Sequence, residues 1–165
     1  MAKLVTTLLL AAIFAGLILL AASAWRRRKQ EQAVLFSAPA ENFEMPTVTS
    51  GFAKVQYVAT TIMGEPLNRV TAYGLGFRGR ATITVSELGL LIERTGERSL
   101  AIAAQQVSGA DFTQAVIGRA VEKDGLVAIN WLQDQISLTT VLRFNSAADR
   151  NRILQASSVL SRKAI

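Results

Sequence analysis

Hydrophobic side chains are distributed along this chain in three different ways, and each predicts a different element. Between residues 4 and 24 they are continuous: the run holds no charge and no proline, and its polar side chains are the hydroxyls of Thr6, Thr7 and Ser23. Coiled as a helix rising about 1.5 Å per residue, such a run reaches roughly 30 Å, the thickness of a bilayer's hydrocarbon core. Trp25 follows at the place of an interfacial aromatic, and Arg26, Arg27, Arg28 and Lys29 come directly after it. The pattern therefore predicts a transmembrane helix over residues 4–24, anchored by those five side chains. Ala22-Ser23-Ala24 has the small-x-small form of a signal-peptidase site. A signal peptide, however, places its positive charge before an apolar run of about 7–15 residues. Here the run is longer and the basic cluster comes after it, so an uncleaved span is expected.

From residue 54 to residue 144 the pattern has period two, the mark of half-buried strands. Ala81, Ile83 and Val85 alternate with Thr82 and Thr84. Leu90 and Ile92 follow a turn at Glu87-Leu88-Gly89, and Leu100 and Ile102 follow another at Thr95-Gly96-Glu97. Residues 107–113 make a weaker strand, with Gly109 at a bulge position. Val127, Ile129 and Trp131 alternate with Ala128 and Asn130. Then Ile136, Leu138, Thr140, Leu142 and Phe144 face one way, and Ser137, Thr139, Val141 and Arg143 the other. With residues 54–62 these make seven strands. The period then becomes helical over residues 147–162. Ser146, with Asp149 three residues on, reads as a capping box, and Ile153, Ala156 and Leu160 line one face with Leu154 and Val159 on its shoulders. Such a helix closes the open end of a bent sheet and hides its edges.

Residues 25–50 follow neither pattern. Pro39 and Pro46 interrupt residues 31–50, which read as a linker with an end-to-end distance of about 25 Å if flexible. Leu35, Phe36 and Phe43 are the side chains that would shorten this tether by packing on the domain. The expected organisation is a span at 4–24, a basic cluster and linker at 25–50, and a domain at 51–165, long enough for one core.

Charge sharpens that picture. The net charge of +6 is uneven: residues 1–30 carry +5, residues 31–50 carry −3 and residues 51–165 carry +4. Much of the basic character is juxtamembrane and does not itself point to nucleic acid. Lys3 precedes the span and four basic residues follow it, which places the amino terminus outside and the domain in the cytoplasm at the plasma membrane. The chain has no cysteine and no histidine, which removes thiolate chemistry, the commonest general base and the commonest metal ligand. Its carboxylates are scattered over turns without a pair placed for acid–base work or metal binding. Glu93-Arg94 and Glu97-Arg98 flank a turn and are expected as exposed ion pairs, each worth under about 1 kcal/mol. Gly-Leu-Gly-Phe-Arg-Gly at 74–79 has the look of a dinucleotide loop but lacks the βαβ unit such a loop needs. Trp131 is expected in the core or on the sheet. Tyr73 and Phe77 are the aromatics near basic residues, too few for a nucleic-acid surface. No enzyme, cofactor, metal or nucleic-acid partner is expected.

Seven antiparallel strands closed by one carboxy-terminal helix resemble the pleckstrin-homology (PH) fold. More narrowly, GLGFRGRATITVSELGLLIER (residues 74–94) and the paired strands LVAINWL and ISLTTVLRF are similar to short actinobacterial single-span membrane proteins with a bacterial PH-like domain, often labelled export or membrane proteins. The resemblance covers span, linker and domain. It implies a mainly β fold, an N-terminal transmembrane helix followed by a PH-like seven-stranded β-sandwich or partial barrel with a closing helix, and it implies no reaction. It also implies a place for a ligand. In lipid-binding members of the PH fold, the connection between the first two strands presents spaced Lys and Arg to phosphorylated headgroups. Here that connection is residues 63–79, where Arg69, Arg78 and Arg80 lie in or beside a stretch containing Gly74, Gly76 and Gly79. Guanidinium forks and open backbone N–H groups suit an anion. The sequence departs from the lipid-binding pattern in having only Lys54 nearby and in separating Arg69 from the other two. Two functions of different classes follow. One is an interaction module at the inner membrane face that recruits an unidentified protein partner or serves as accessory subunit of a membrane or export complex. The other is a reader of anionic lipid headgroups. A single span without intramembrane charge does not make a transport pathway.

Overall fold

The computed structural model describes residues 2–43, 51–113, 115–116, 119–120 and 126–163. Helix α1 (Ala2–Leu35) carries the apolar run, is long and apolar enough to cross a membrane, and buries none of that run against the rest of the chain. It does not end where the run ends. Residues 26–35 are Arg, Lys, Gln, Glu, Ala, Val and Leu, mostly strong helix formers, and Arg27 pairs with Glu31 one turn on at 2.9 Å. Pro39 is the first breaker. The helix thus runs through the basic cluster and the first residues of the expected 31–50 linker to Leu35, and residues 36–43 then lie against the domain.

The strands are β1 (Gly51–Ile62), β2 (Glu65–Arg69), β3 (Gly79–Ser86), β4 (Gly89–Arg94), β5 (Leu100–Ala103), β6 (Val107–Thr113), β7 (Ala115–Val116), β8 (Arg119–Ala120), β9 (Leu126–Gln133) and β10 (Ile136–Phe144). Eight form one antiparallel sheet, in which β2 is attached to β1 beside a path of seven, β5-β4-β3-β1-β10-β9-β6. The seven of the path are those the alternation predicts. The sequence pattern misses β2, which pairs on β1 inside the supposed connecting loop, and the short β7–β8 ribbon. β1 is the hinge of the sheet: it pairs with β3 from Gly51 to Tyr57 and with β10 from Val55 to Ile62. Its register on β10 shifts between Tyr57 and Ala59, and such a bulge bends the strand. A second shift, between Val107 and Gly109 on β6, falls at the expected place.

The inward positions of the alternation fill the core: Ile83, Val85, Leu90, Ile92, Leu100, Ile102, Val127, Ile129, Trp131, Leu138 and Leu142 are all buried. Helix α2 (Ala147–Lys163) starts at Ser146, whose Oγ accepts the Asp149 N–H at 3.3 Å, and inserts Ile153 and Leu160 into that core. Ser157 shares the buried side, while Val159 is exposed. The helix lies across β6 and β1, and Arg150 stacks its guanidinium over Phe112 at 5.2 Å. At the opposite edge, β5 is partly covered by the segment after α1: the Ala101 N–H donates to Ala40 O at 2.8 Å. Both ends of the sheet are thus occupied from within the chain.

A line of hydroxyls crosses the core. Trp131 Nε1 donates to Thr140 Oγ1 at 2.9 Å, Thr140 meets Thr60 Oγ1 at 2.8 Å, Thr60 meets the Tyr57 hydroxyl at 2.6 Å, and Tyr57 donates to Leu75 O at 2.9 Å. An indole N–H can only donate, and the last oxygen is a carbonyl that can only accept. Every proton in the line therefore points the same way, from Trp131 toward Leu75. Each polar atom of the line is satisfied, and the loop carrying Leu75 is tied to the centre of the sheet.

Candidate functional site

The loop between β2 and β3 is built around its carbonyls. Val70, Ala72 and Leu75 are buried, and Tyr73 and Gly74 turn the chain through left-handed φ values of 54° and 70°. At Gly76 a Cβ would stand 2.8 Å from the backbone Val70 O, leaving no room for a side chain, while at Gly74 the positive φ is what favours glycine. Leu75 O takes the Thr60 N–H and the Tyr57 hydroxyl, Gly74 O takes Arg94 Nη1 at 2.8 Å, and Gly76 O takes Arg69 Nη1 at 3.1 Å. Burial pushes the Tyr57 phenol up to about 12, against the lowering effect of its Thr60 hydrogen bond and the nearby Arg94 and Arg69 charges. It stays a donor at any physiological pH.

Arg94 does not form the exposed ion pair expected of it. It is buried, donates Nε to Arg98 O at 2.7 Å as well as Nη1 to Gly74 O, and lies over the Tyr57 ring at 5.0 Å. Arg98 pairs instead with Glu41 at 3.0 Å. The residue at the inward end of a strand has to point into the fold whatever its charge, and period-two reasoning would have placed Arg94 there beside Ile92.

The same loop receives α1. Gln32, buried at 7% exposure, accepts three hydrogen bonds on Oε1, from Thr71 N, Thr71 Oγ1 and Ala72 N, and donates Nε2 to Arg69 O. The Tyr73 hydroxyl reaches the terminal carbonyls of the helix, Ala33 O at 3.2 Å and Phe36 O at 2.9 Å, while its ring packs on Phe36 at 5.6 Å. Phe36 is in the core; Leu35 stays exposed and Phe43 is half-buried. Beyond Phe36, the Ser37 N–H binds Asp134 Oδ2 at 2.6 Å, in the β9–β10 turn. Higher on the helix, Arg28 binds Asn68 Oδ1 at 3.1 Å, and Trp25 lies 6.3 Å from the Phe77 ring. The helix and the domain are joined along more than two helical turns, from Trp25 to Phe36.

Sequence-predicted site residues fall into separate places. Trp25 and Arg28 belong to this joint, while Arg26, Arg27 and Lys29 are exposed on α1. Arg69 is half-buried and holds Gly76 O; Arg78 is exposed directly after Phe77; Arg80 is exposed in β3 opposite Gln56. Each of the three arginines has a different setting. Of the residues that make the joint, Gln32 carries no signal in the sequence, and Tyr73 stands out there only as an aromatic near basic residues. Phe77, beside Trp25, is 48% exposed, and Met63 and Leu67 in the β1–β2 hairpin are exposed at 47% and 75%.

A profile described as bacterial PH domain-like matches residues 35–158. The chain belongs to the bacterial PH domain-like family. Its mainly β fold, antiparallel sheet and closing C-terminal helix are those of a PH-like domain, preceded by a long apolar helix. The PH-like match begins at the last residue of α1, so the segment that carries Phe36 and caps β5 lies within the matched region. PH-like domains are in general non-catalytic modules that bind lipids or proteins, and no enzyme family is indicated. No curated protein matches the chain.

Proposed function

We propose that this chain is a membrane-anchored PH-like interaction module at the inner face of the plasma membrane, with its amino terminus outside and its domain in the cytoplasm, where it recruits a protein partner. Service as accessory subunit of a membrane or export complex is one form of that role. The observation that carries the reading is the joint: the four hydrogen bonds of Gln32 fasten the domain to the anchor. Trp25 at headgroup level puts Phe77 there too, and only seven residues, about 10 Å of helix, separate Trp25 from Gln32. Met63, Leu67 and Phe77 then meet the bilayer interface instead of water, and the remaining faces are presented to the cytoplasm. A reporter active only in the cytoplasm, fused after Ile165, should work. An inactive reporter, or a mature chain beginning at Trp25, would refute the orientation.

A second reading, recognition of anionic headgroups, is favoured by Arg78 following Phe77 beside Trp25. Arg69 is engaged by Gly76 O and Arg80 lies on the sheet, so Arg78 carries this reading. If it holds, full-length protein in anionic vesicles should bring its domain closer to the surface than in neutral ones, and Arg78→Ala should abolish the difference. No difference between the two lipids removes the headgroup reading.

A further inference from the structure

The outer face of the sheet carries a second group of basic side chains away from the joint. Cross-strand register sets Arg143 of β10 opposite Gln56 of β1, and Gln56 opposite Arg80 of β3. Lys54, two residues back on β1 and on the same face, stands opposite Thr82. All three basic residues are exposed, and among the described residues none of their side chains has a hydrogen bond or ion pair. Four of the domain's other arginines contrast with them: Arg69 and Arg94 hold carbonyls, and Arg98 and Arg152 hold carboxylates, whereas Arg78 at the loop tip is open like these three. Between Lys54 and Arg80 runs an open groove of about 550 Å³, also lined by Gln56, Thr82, Thr95 and Asn145. One row further along β1, Phe52 is 54% exposed opposite Thr84. Glu93, opposite Thr82 on β4, bounds the basic area on that side.

We infer that this face binds an extended acidic segment of a protein partner that also carries an apolar side chain. Three cations spaced across three adjacent strands, at about 4.8 Å per strand, suit carboxylates displayed along a peptide. Gln56, Thr82, Thr95 and Asn145 offer it hydrogen bonds, and Phe52 offers an apolar contact. The groove lies in the Gly51 half of β1, whereas the hairpin beside α1 lies at the Ile62 end, so the groove is turned away from the edge assigned to the bilayer. The inference rests on the anchored, cytoplasm-facing reading above and names the chemistry of its partner.

The test uses the full chain in nanodiscs of neutral phosphatidylcholine and a fluorescent peptide of glutamates around a central phenylalanine. Polarisation should detect binding that the glutamine version of the peptide lacks, and that fades as salt brings the Debye length toward about 3 Å. Lys54→Glu with Arg143→Glu should weaken it by about tenfold or more, as reversing two charges at a charge-complementary surface does. Lys54→Arg should retain it. If the double reversal fails to fold by circular dichroism, Lys54→Gln and Arg143→Gln singly should each weaken binding several-fold. Equal affinity for the glutamate and glutamine peptides overturns the inference, as does indifference to these substitutions. So does binding of anionic vesicles or a single-stranded oligonucleotide that falls with the same substitutions while the acidic peptide does not bind. A working cytoplasmic reporter with no peptide binding removes the partner class alone; peptide binding with an inactive reporter removes the orientation alone.

Discussion

Tyr57 shows how one side chain connects the core to the functional loop. It is fully buried, ends the hydroxyl line from Trp131, supports Leu75 O and lies under Arg94. Its phenol, raised to about 12 by burial, gives a pH signature. In the unfolded chain it loses its proton near pH 10, whereas in the fold it keeps it until about 12. Over that window the native state binds more protons, so stability present below pH 10 is lost as pH rises, by about 2–3 kcal/mol for this group. Denaturant titrations at pH 9 and above should show wild type losing this increment and Tyr57→Phe lacking it. An identical loss in both would place the titration elsewhere. Arg94 makes a related point. Its position after Ile92 marked it as inward, but its charge argued for the surface, and three acceptors (two carbonyls and a ring face) settle the conflict.

Among the elements, those with a sustained period were legible. The seven sheet strands and α2 follow directly from alternation and from the 3.6-residue face of Ile153 and Leu160. Leu160→Ala should cost about 2–5 kcal/mol, since the side chain is almost wholly buried. A loss below about 0.5 kcal/mol, the scale of a surface change, would mean that α2 does not close the sheet. Less legible were the short elements and the joint. β2 contains Pro66 and pairs on one side only, so it has no buried alternation to read. The extension of α1 is hidden by the linker-like composition of residues 31–50, although every residue before Phe36 is compatible with a helix. Gln32 could not be singled out at all: a polar side chain at a helix end becomes structural only because the β2–β3 loop turns two N–H groups and a hydroxyl toward it. The candidate arginines were found by spacing, and their separation into a carbonyl clamp, a loop tip and a sheet face needed the register of β1 and β3.

At the scale of the whole molecule, α1 is fastened to the domain from Trp25 to Phe36, beside the end of the apolar run. Because the chain has no cysteine, single cysteines can report its position in the bilayer without removing a native thiol. The most direct measurement is the depth of spin labels at Leu67, Phe77 and Phe52 in the full chain reconstituted into vesicles, read by their accessibility to a lipid-dissolved and a water-dissolved relaxant. Labels at Leu67 and Phe77 should sit in the interface and respond to the lipid relaxant, while the label at Phe52 responds only to the aqueous one. All three labels reporting water alone, or Phe52 lying deeper than Phe77, would contradict a domain held by α1 with Leu67 and Phe77 at the membrane.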